Sequence, residues 1–417
     1  MSRLVVVSNR LPVFPGRGST FDLPAGGLVS VLFDALCSRH GGGLWLGWND
    51  SARGSLRPRR SAFGGVGLVG IGLPAAEIDG YYHGFCNQAL WPILHCFPGR
   101  AHFDLGHLGH YRSVQERFVQ ALLRELRPDD QVWIHDYHLL LVPESLRRLG
   151  FRGRIGYFFH TPFPPADLWA LLPDAEQLLG GVARADLIGF QTRGDLENFA
   201  GSQRRLLGPG RRASARDRGS PKLGVFPVGI EPRDFEPSPA VERRPKSQSH
   251  LVGLIGGRRA VLGVDRLDYS KGLVERFLAF ARFLERQPEW RRRVCLVQIA
   301  SPSRGGLDWY RREREELEQV VGRINGELAE VDWTPIRYLH RSFQRDTLAR
   351  LYRGADVGLV TPLRDGMNLV AKEFVAAQRN SDPGVLVLSR FAGASASMRD
   401  AILVNPYVID ETAAAIG

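Results

Sequence analysis

Short β-branched and aliphatic runs, each closed by a polar residue, alternate with longer amphipathic stretches through most of the 417 residues. No other feature constrains the fold as strongly. A strand that is followed by a helical crossover returns parallel to itself and builds a layered α/β sheet. Strands are expected over residues 4–7, 44–46, 132–134, 155–159, 187–190 and 222–228, with helices over 28–39, 114–127, 140–149 and 195–207. Residues 232–250 break the pattern, with Pro237, Pro239 and Pro245 among charged and polar residues, and read as a linker. Residues 209–221 are rich in Gly, Arg and Ser and read as an exposed insertion. The alternation then restarts, with strands over 259–264, 294–299, 335–339, 357–361 and 384–388 and helices over 273–286, 307–328, 346–353 and 368–378. There is no solenoid repeat and no heptad run. The expected fold is α/β, with two Rossmann-like doubly wound domains, 1–232 and 233–417, facing a central cleft.

Composition removes several classes of function. Apolar residues make up 44% of the chain, as in globular proteins. No apolar run reaches the roughly 18–20 residues that span a bilayer. The apolar run at 4–7 is too short for a signal peptide, so a cytoplasmic protein with no membrane partner is expected. Cys37, Cys86, Cys96 and Cys295 form no C-x-x-C pair or zinc spacing and read as reduced thiols; no metal site is expected. The net charge is +11, but only Lys222, Lys246, Lys271 and Lys372 are lysines, so the excess is arginine. The arginine clusters are scattered, without interleaved aromatics or a nucleic-acid motif, and no nucleic-acid partner is expected. A basic chain of this kind also suits an anionic small molecule.

Ligands of open α/β sheets bind beyond the carboxyl ends of strands. Six expected strands end in polar groups: Ser8-Asn9-Arg10, His135-Asp136, His160, Asp265-Arg266, Ser301 with Ser303 and Arg304, and Arg364-Asp365. Three segments suit anions. Gly26-Gly27 opens a helix, where small residues let a ligand approach backbone N–H groups. Arg266 and Lys271 place two cations five residues apart on a loop entering a helix, an arrangement that suits a diphosphate. Lysine is rare in this chain, so its use at 271 points to a site that calls for a compact ammonium. In Thr361 to Leu369 a strand passes into a helix through Gly366, with N–H groups aimed at the ligand and Glu373 one turn further on. No Walker A, dinucleotide fingerprint or G-x-S-x-G elbow is present.

These residues closely resemble the trehalose-6-phosphate synthase family, retaining glycosyltransferases of the GT-B fold. The resemblance runs through nearly the whole chain. It is carried by Ser8-Asn9-Arg10-Leu11-Pro12, Ala25-Gly26-Gly27-Leu28, Trp45-Leu46-Gly47-Trp48, Tyr81-Tyr82, Leu90-Trp91-Pro92, Trp133 to Leu139, His160-Thr161-Pro162-Phe163-Pro164, Gly229-Ile230-Glu231-Pro232, Asp265 to Gly272, Ser303-Arg304-Gly305, Gly322 to Gly326 and Thr361 to Glu373. It implies transfer of glucose from a nucleotide-glucose, with UDP-glucose the default, to glucose 6-phosphate, giving α,α-trehalose 6-phosphate. It also implies an acceptor-binding N-terminal domain and a nucleotide-sugar-binding C-terminal one.

For the donor it implies Gly27, His160, Arg266, Lys271, Asp365, the backbone of Met367, Asn368 and Leu369, and Glu373. Arg266 and Lys271 would hold the diphosphate, Asp365 and His160 the glucose hydroxyls, and Glu373 the ribose. For the acceptor it implies Arg10, Tyr82 and Arg304 on the phosphate, Asp136 on sugar hydroxyls, and Trp91 with Trp45 nearby. Arg266, Lys271, His160 and Asp136 would carry the chemistry. This is a front-face displacement in which the departing phosphate takes the acceptor's proton, with no metal or other cofactor. Only small-molecule partners are implied, for a monomer or a homo-oligomer.

Two departures stand out. The sequence reaches Gly417 just as residues 410–416 begin a helix, whereas the family usually continues with helices that pack back across the N-terminal domain, so those helices are expected to be missing. Ser395 to Arg399 lacks the acidic residue expected after Ala392-Gly393-Ala394, which bears on donor preference. The alternatives are a pseudo-glycosyltransferase with a phosphorylated cyclitol or another sugar phosphate as acceptor, and a catalytically silent sugar-phosphate sensor.

Overall fold

The computed structural model describes residues 2–12, 14–15, 21–22, 32–33, 36–37, 43–49, 58–208, 220–242, 246, 249–302 and 308–417. The chain divides into two compact units, Met1–Val228 and Gly229–Gly417.

The first unit carries strands β1 (Leu4–Arg10), β2 (Phe14–Pro15), β3 (Phe21–Asp22), β4 (Leu44–Trp48), β5 (Arg59–Phe63), β6 (Val66–Ile71), β7 (Gln131–His135), β8 (Arg154–Phe158), β9 (Leu187–Phe190) and β10 (Lys222–Val225). β2 and β3 form a small antiparallel ladder. The other eight form one sheet in the order β10-β9-β8-β7-β1-β4-β6-β5. Every neighbouring pair is parallel except β5 with β6. From β1 the chain winds outward through β4 and β6, then returns to the other flank of β1 and continues through β7, β8, β9 and β10. The winding direction therefore changes between β1 and β7, which places a crevice at their carboxyl ends.

The second unit carries β11 (Arg259–Arg266), β12 (Val294–Ser301), β13 (Ile336–Leu339), β14 (Val357–Val360), β15 (Val385–Ser389) and β16 (Ile402–Val404). They form an all-parallel sheet in the order β13-β12-β11-β14-β15-β16, with the change of direction between β11 and β14. Alternate residues of β11 serve opposite faces. Val261 packs with Phe277, Phe280 and Leu284, while Leu262 packs with Leu351, Phe374 and Leu386. Both faces are covered, as an all-parallel sheet requires. The helix Leu273–Arg286 presents Leu273, Phe277, Phe280 and Leu284 at 4-3-4 spacing, which keeps one apolar stripe on the sheet.

Several elements differ from expectation. The hairpin β5–β6 was not foreseen, because Arg59 to Ala62 is exposed and β6 is broken by Gly67 and Gly70. Gly64 and Gly65, both at positive φ, make the two-residue turn that joins them, and the Gly-Gly pair was the available signal. β16 was also missed, since Ile402 and Leu403 remain exposed at the sheet edge. The helix expected from residue 114 starts at Leu105, where the Asp104 side chain accepts from the N–H groups of Gly106 and His107. The strand expected over 222–228 ends at Val225.

Candidate functional site

Each unit gathers site residues at its own change of winding direction.

In the first unit, Arg10 ends β1 and pairs in register with Trp48 on β4. Its guanidinium carbon lies 4.5 Å from the centre of the Trp48 ring and 4.9 Å from that of Tyr82. The two rings meet edge to face, 5.7 Å apart. Contact with two aromatic rings orients the guanidinium. The backbone beneath it is fixed. Ser8 Oγ donates to the Arg10 carbonyl at 2.7 Å and accepts from Trp45 Nε1 at 2.8 Å. Tyr81 Oη donates to Asn9 Oδ1 at 2.8 Å. Tyr82 and Tyr81 both stand on the helix Ile78–Leu90, which is wound with i→i+5 bonds, a geometry frequent at functional sites.

The structure thus separates the aromatic residues by role. Trp45 is buried and spends its indole N–H on Ser8. Trp91, also buried, lies against His95 with ring centres 3.9 Å apart and near Tyr137. Trp48 is the indole beside Arg10, although the sequence reading gave it no role. Its three-residue spacing from Trp45 was the available signal, because it puts the two rings on opposite faces of a strand.

Asp136 follows β7 with φ 69° and ψ 168°, a backbone state uncommon for a residue with a Cβ. Its Oδ1 accepts from the N–H groups of His160 and Thr161 at 3.2 and 3.4 Å and from Thr161 Oγ1 at 3.2 Å. Tyr157 Oη donates to its carbonyl at 2.5 Å. The ends of β7 and β8 are therefore tied through this one side chain. Burial pushes the Asp136 carboxyl up to about 6, against the opposing pull of those backbone and hydroxyl donors. His160 Nε2 lies 3.0 Å from His135 Nδ1, and burial pushes His160 down to about 3, so both rings are neutral at physiological pH.

In the second unit, Arg266 ends β11, exposed, with no ion pair or side-chain hydrogen bond among the described residues. Lys271 is only 8% exposed and donates from Nζ to Asp365 Oδ2 at 2.5 Å. Asn368 Nδ2 donates to the same oxygen at 3.0 Å, while Asn368 Oδ1 caps the helix Leu369–Ala377 by accepting from the Ala371 N–H. The N–H groups of Met367, Asn368 and Leu369 find no acceptor among the described residues. Half-buried Glu373 accepts from Tyr352 Oη at 3.0 Å, and its carboxyl is raised chiefly by burial. The Lys271 turn and the Asp365 loop are stitched through backbone, the N–H groups of Leu363 and Arg364 both donating to the Ser270 carbonyl. The loop's other flank is closed by Ala392-Gly393-Ala394. There the Ala394 N–H donates to the Met367 carbonyl, and a Cβ on Gly393 would meet the Gly366 carbonyl oxygen at 1.9 Å.

Gly272 is the tightest point of this crossing. It has φ +63°, and a Cβ would lie 2.8 Å from the Thr361 carbonyl oxygen. Gly272→Ala is expected to destabilise the fold by about 1–3 kcal/mol, combining a left-handed backbone with that clash. Denaturant unfolding checks this, and an unchanged midpoint would show that the crossing yields.

Of the sequence-predicted residues, Arg10, Trp45, Tyr82, Trp91, Asp136 and His160 belong to the first unit, and Arg266, Lys271, Asp365, Met367, Asn368, Leu369 and Glu373 to the second. Gly27 and Arg304 lie outside the described residues. No helix among the described residues is long and apolar enough to cross a membrane.

Comparison with known proteins returns a consistent set. The profile of Glycosyltransferase family 20 matches residues 2–417. The trehalose-6-phosphate synthase of Sinorhizobium fredii (strain NBRC 101917 / NGR234) is 44% identical over 424 residues, spanning 100% of this chain and 90% of that protein. The crystal structure of a UDP-forming α,α-trehalose-phosphate synthase from Burkholderia vietnamiensis superposes with a TM-score of 0.90 at 43% identity, covering 100% of this chain and 91% of that one. The enzyme of the same type from Burkholderia xenovorans, in complex with glucose 6-phosphate, gives 0.89 at 40% identity, covering 99% and 91%.

Proposed function

The chain belongs to glycosyltransferase family 20, and on that premise we propose that it transfers glucose from UDP-glucose to glucose 6-phosphate with retention, forming α,α-trehalose 6-phosphate. The observation that carries the reading is the cation arrangement of the second unit. An uncommitted Arg266, Lys271 beside Asp365 and three unclaimed N–H groups surround the change of winding direction of a doubly wound sheet. Such groups meet the charge that grows on a departing diphosphate. Because the cations are side chains, the reading calls for no metal.

In the first unit, Arg10 between Trp48 and Tyr82 is assigned to the acceptor phosphate, joined by Arg304 on the strength of the family resemblance. Asp136 is assigned to the acceptor hydroxyls, and His160, neutral, to hydroxyls of the transferred glucose. Asp365 would hold glucose hydroxyls and Glu373 the ribose. Retention without a protein nucleophile fits a front-face displacement. The acceptor hydroxyl attacks the anomeric carbon as the diphosphate leaves from the same side, and the leaving oxygen accepts the proton. The proposed setting is the cytoplasm, where a sugar nucleotide and a hexose phosphate are both at hand.

The test is UDP release from UDP-glucose by purified protein, with and without glucose 6-phosphate, with the product identified by NMR. Acceptor-dependent release with an α,α-1,1 linkage supports the reading. No release in the presence of glucose 6-phosphate overturns it, and calorimetric binding of that sugar phosphate without turnover would mark a silent sensor.

The pH profile gives a second check. With Asp136 raised to about 6, acceptor kcat/KM should decline below about pH 6 as the carboxylate that accepts sugar hydroxyls is lost. Asp136→Asn, which does not titrate, should flatten that limb. The stability signs are opposite for these two groups. Between the ordinary 3.8 of Asp136 and about 6, the folded chain binds the extra proton, so this group's contribution falls as pH rises. Between the ordinary 6.5 of His160 and about 3, the unfolded chain binds it, so stability falls as pH falls.

A further inference from the structure

Arg276 is fully buried, with 0% of its surface exposed, in the first turn of the helix Leu273–Arg286. A cation there is doubly disfavoured, by loss of water and by the positive end of the helix dipole. Its surroundings compensate it. Nη1 donates to Asp265 Oδ2 and, at 2.8 Å, to Gln298 Oε1. Nε donates to Thr361 Oγ1 at 3.0 Å, and Nη2 reaches the Lys271 carbonyl at 3.4 Å. Gln298 is itself fully buried and returns a hydrogen bond to Asp265 Oδ2 at 3.3 Å. Gly263 leaves the room for this cluster, since a Cβ there would meet Gln298 Oε1 at 2.1 Å and Arg276 Nη1 at 2.7 Å.

The four partners lie on four segments: the end of β11, the middle of β12, the turn that carries Lys271, and the end of β14 from which the Asp365 loop departs. One rigid fork thus spans the change of winding direction from below. The position is also on the core stripe, three residues after Leu273 and four before Phe280, where an aliphatic residue would pack without a buried charge. A buried ion pair of this kind is a poor source of stability, and removing both charges is often neutral. What only a planar fork supplies here is fixed geometry among segments distant in sequence.

We propose that Arg276 is a positioning residue for the donor diphosphate: it ties the Lys271 turn to the Asp365 loop, and so sets the Lys271 ammonium, without touching a ligand itself. The inference rests on the donor assignment made above. It deepens that assignment by placing part of the diphosphate affinity in a side chain that no ligand reaches.

The experiment uses UDP as the probe, with calorimetric Kd, steady-state kinetics and melting temperature measured on each protein. The double variant D265L/R276M removes both charges together, so no lone buried ion remains. It is expected to fold, to bind UDP at least ~10-fold more weakly and to lose ~10-fold or more in kcat, with the acceptor KM within about twofold, because small misplacements of positioning groups are costly in rate. Thr361→Val cuts only the link to β14 and should weaken UDP by about threefold with little change in melting temperature. A folded double variant that keeps UDP affinity and kcat within about twofold overturns the proposal, as does a loss confined to melting temperature. If the double variant does not fold, Thr361→Val decides, and unaltered UDP affinity there overturns it. Failure of the unaltered protein to bind UDP overturns both this inference and the donor assignment. Binding by the unaltered protein with no loss in the variants overturns this inference alone.

Discussion

Arg266→Ala is expected to lower kcat by on the order of 10²–10³ while leaving the melting temperature where it was. The two halves of this expectation have separate causes. The side chain is exposed and makes no ion pair or side-chain hydrogen bond among the described residues, so its removal breaks none of these. In the proposed reaction it meets charge that develops only as the diphosphate departs, so its loss acts on the transition state more than on ground-state binding. The measurement is kcat and both KM values against a thermal melt. A rate within about threefold of the unaltered protein would remove Arg266 from the leaving-group site.

Lys271→Ala should cost as much in rate, again on the order of 10²–10³, but with a loss of stability that Arg266→Ala lacks. Lys271 and Asp365 are each mostly buried, with 10% and 15% of their side-chain surface exposed, and the ammonium is a charged partner of the carboxylate. Without it, Asp365 keeps Asn368 Nδ2 but loses this buried ion pair, at a cost of up to about 3 kcal/mol given the residual exposure. Lys271→Arg should restore little, because a planar fork does not fit a seat shaped for a compact ammonium. Equal stabilities for Lys271→Ala and Arg266→Ala would show that the Lys271–Asp365 contact is not held in solution.

The sequence made the α/β class and most strand positions readable, because parallel strands buried on both faces give continuous apolar runs such as 259–264 and 294–299. Where each doubly wound sheet changes direction was not readable, since strand order depends on which flank each crossover returns to, and local pattern does not encode that. Arg10, Asp136 and Asp365 stood out because they lie just beyond apolar runs, and Lys271 because lysine is rare in the chain and follows Arg266 by five residues. Arg276 did not, because an arginine inside an amphipathic helix looks like part of the solvent face. Its phase relative to Leu273, Phe277 and Phe280 gave it away only in retrospect. Trp48 was hidden by its neighbour Trp45, since two tryptophans in one motif cannot be told apart without knowing which face of the strand each takes.

The Lys271–Asp365 contact joins residues 94 apart in the chain. During synthesis at about 5–20 residues per second, the lysine leaves the ribosome roughly 5–20 s before the aspartate that receives it. β11 and β12 can pair in that interval, but the strand that completes this side of the sheet, β14, is still being made. For those seconds the nascent chain carries Lys271 without the Asp365 carboxylate, beside the polyanionic surface of the ribosome itself. The cation of this pair is therefore made well before the negative charge that holds it.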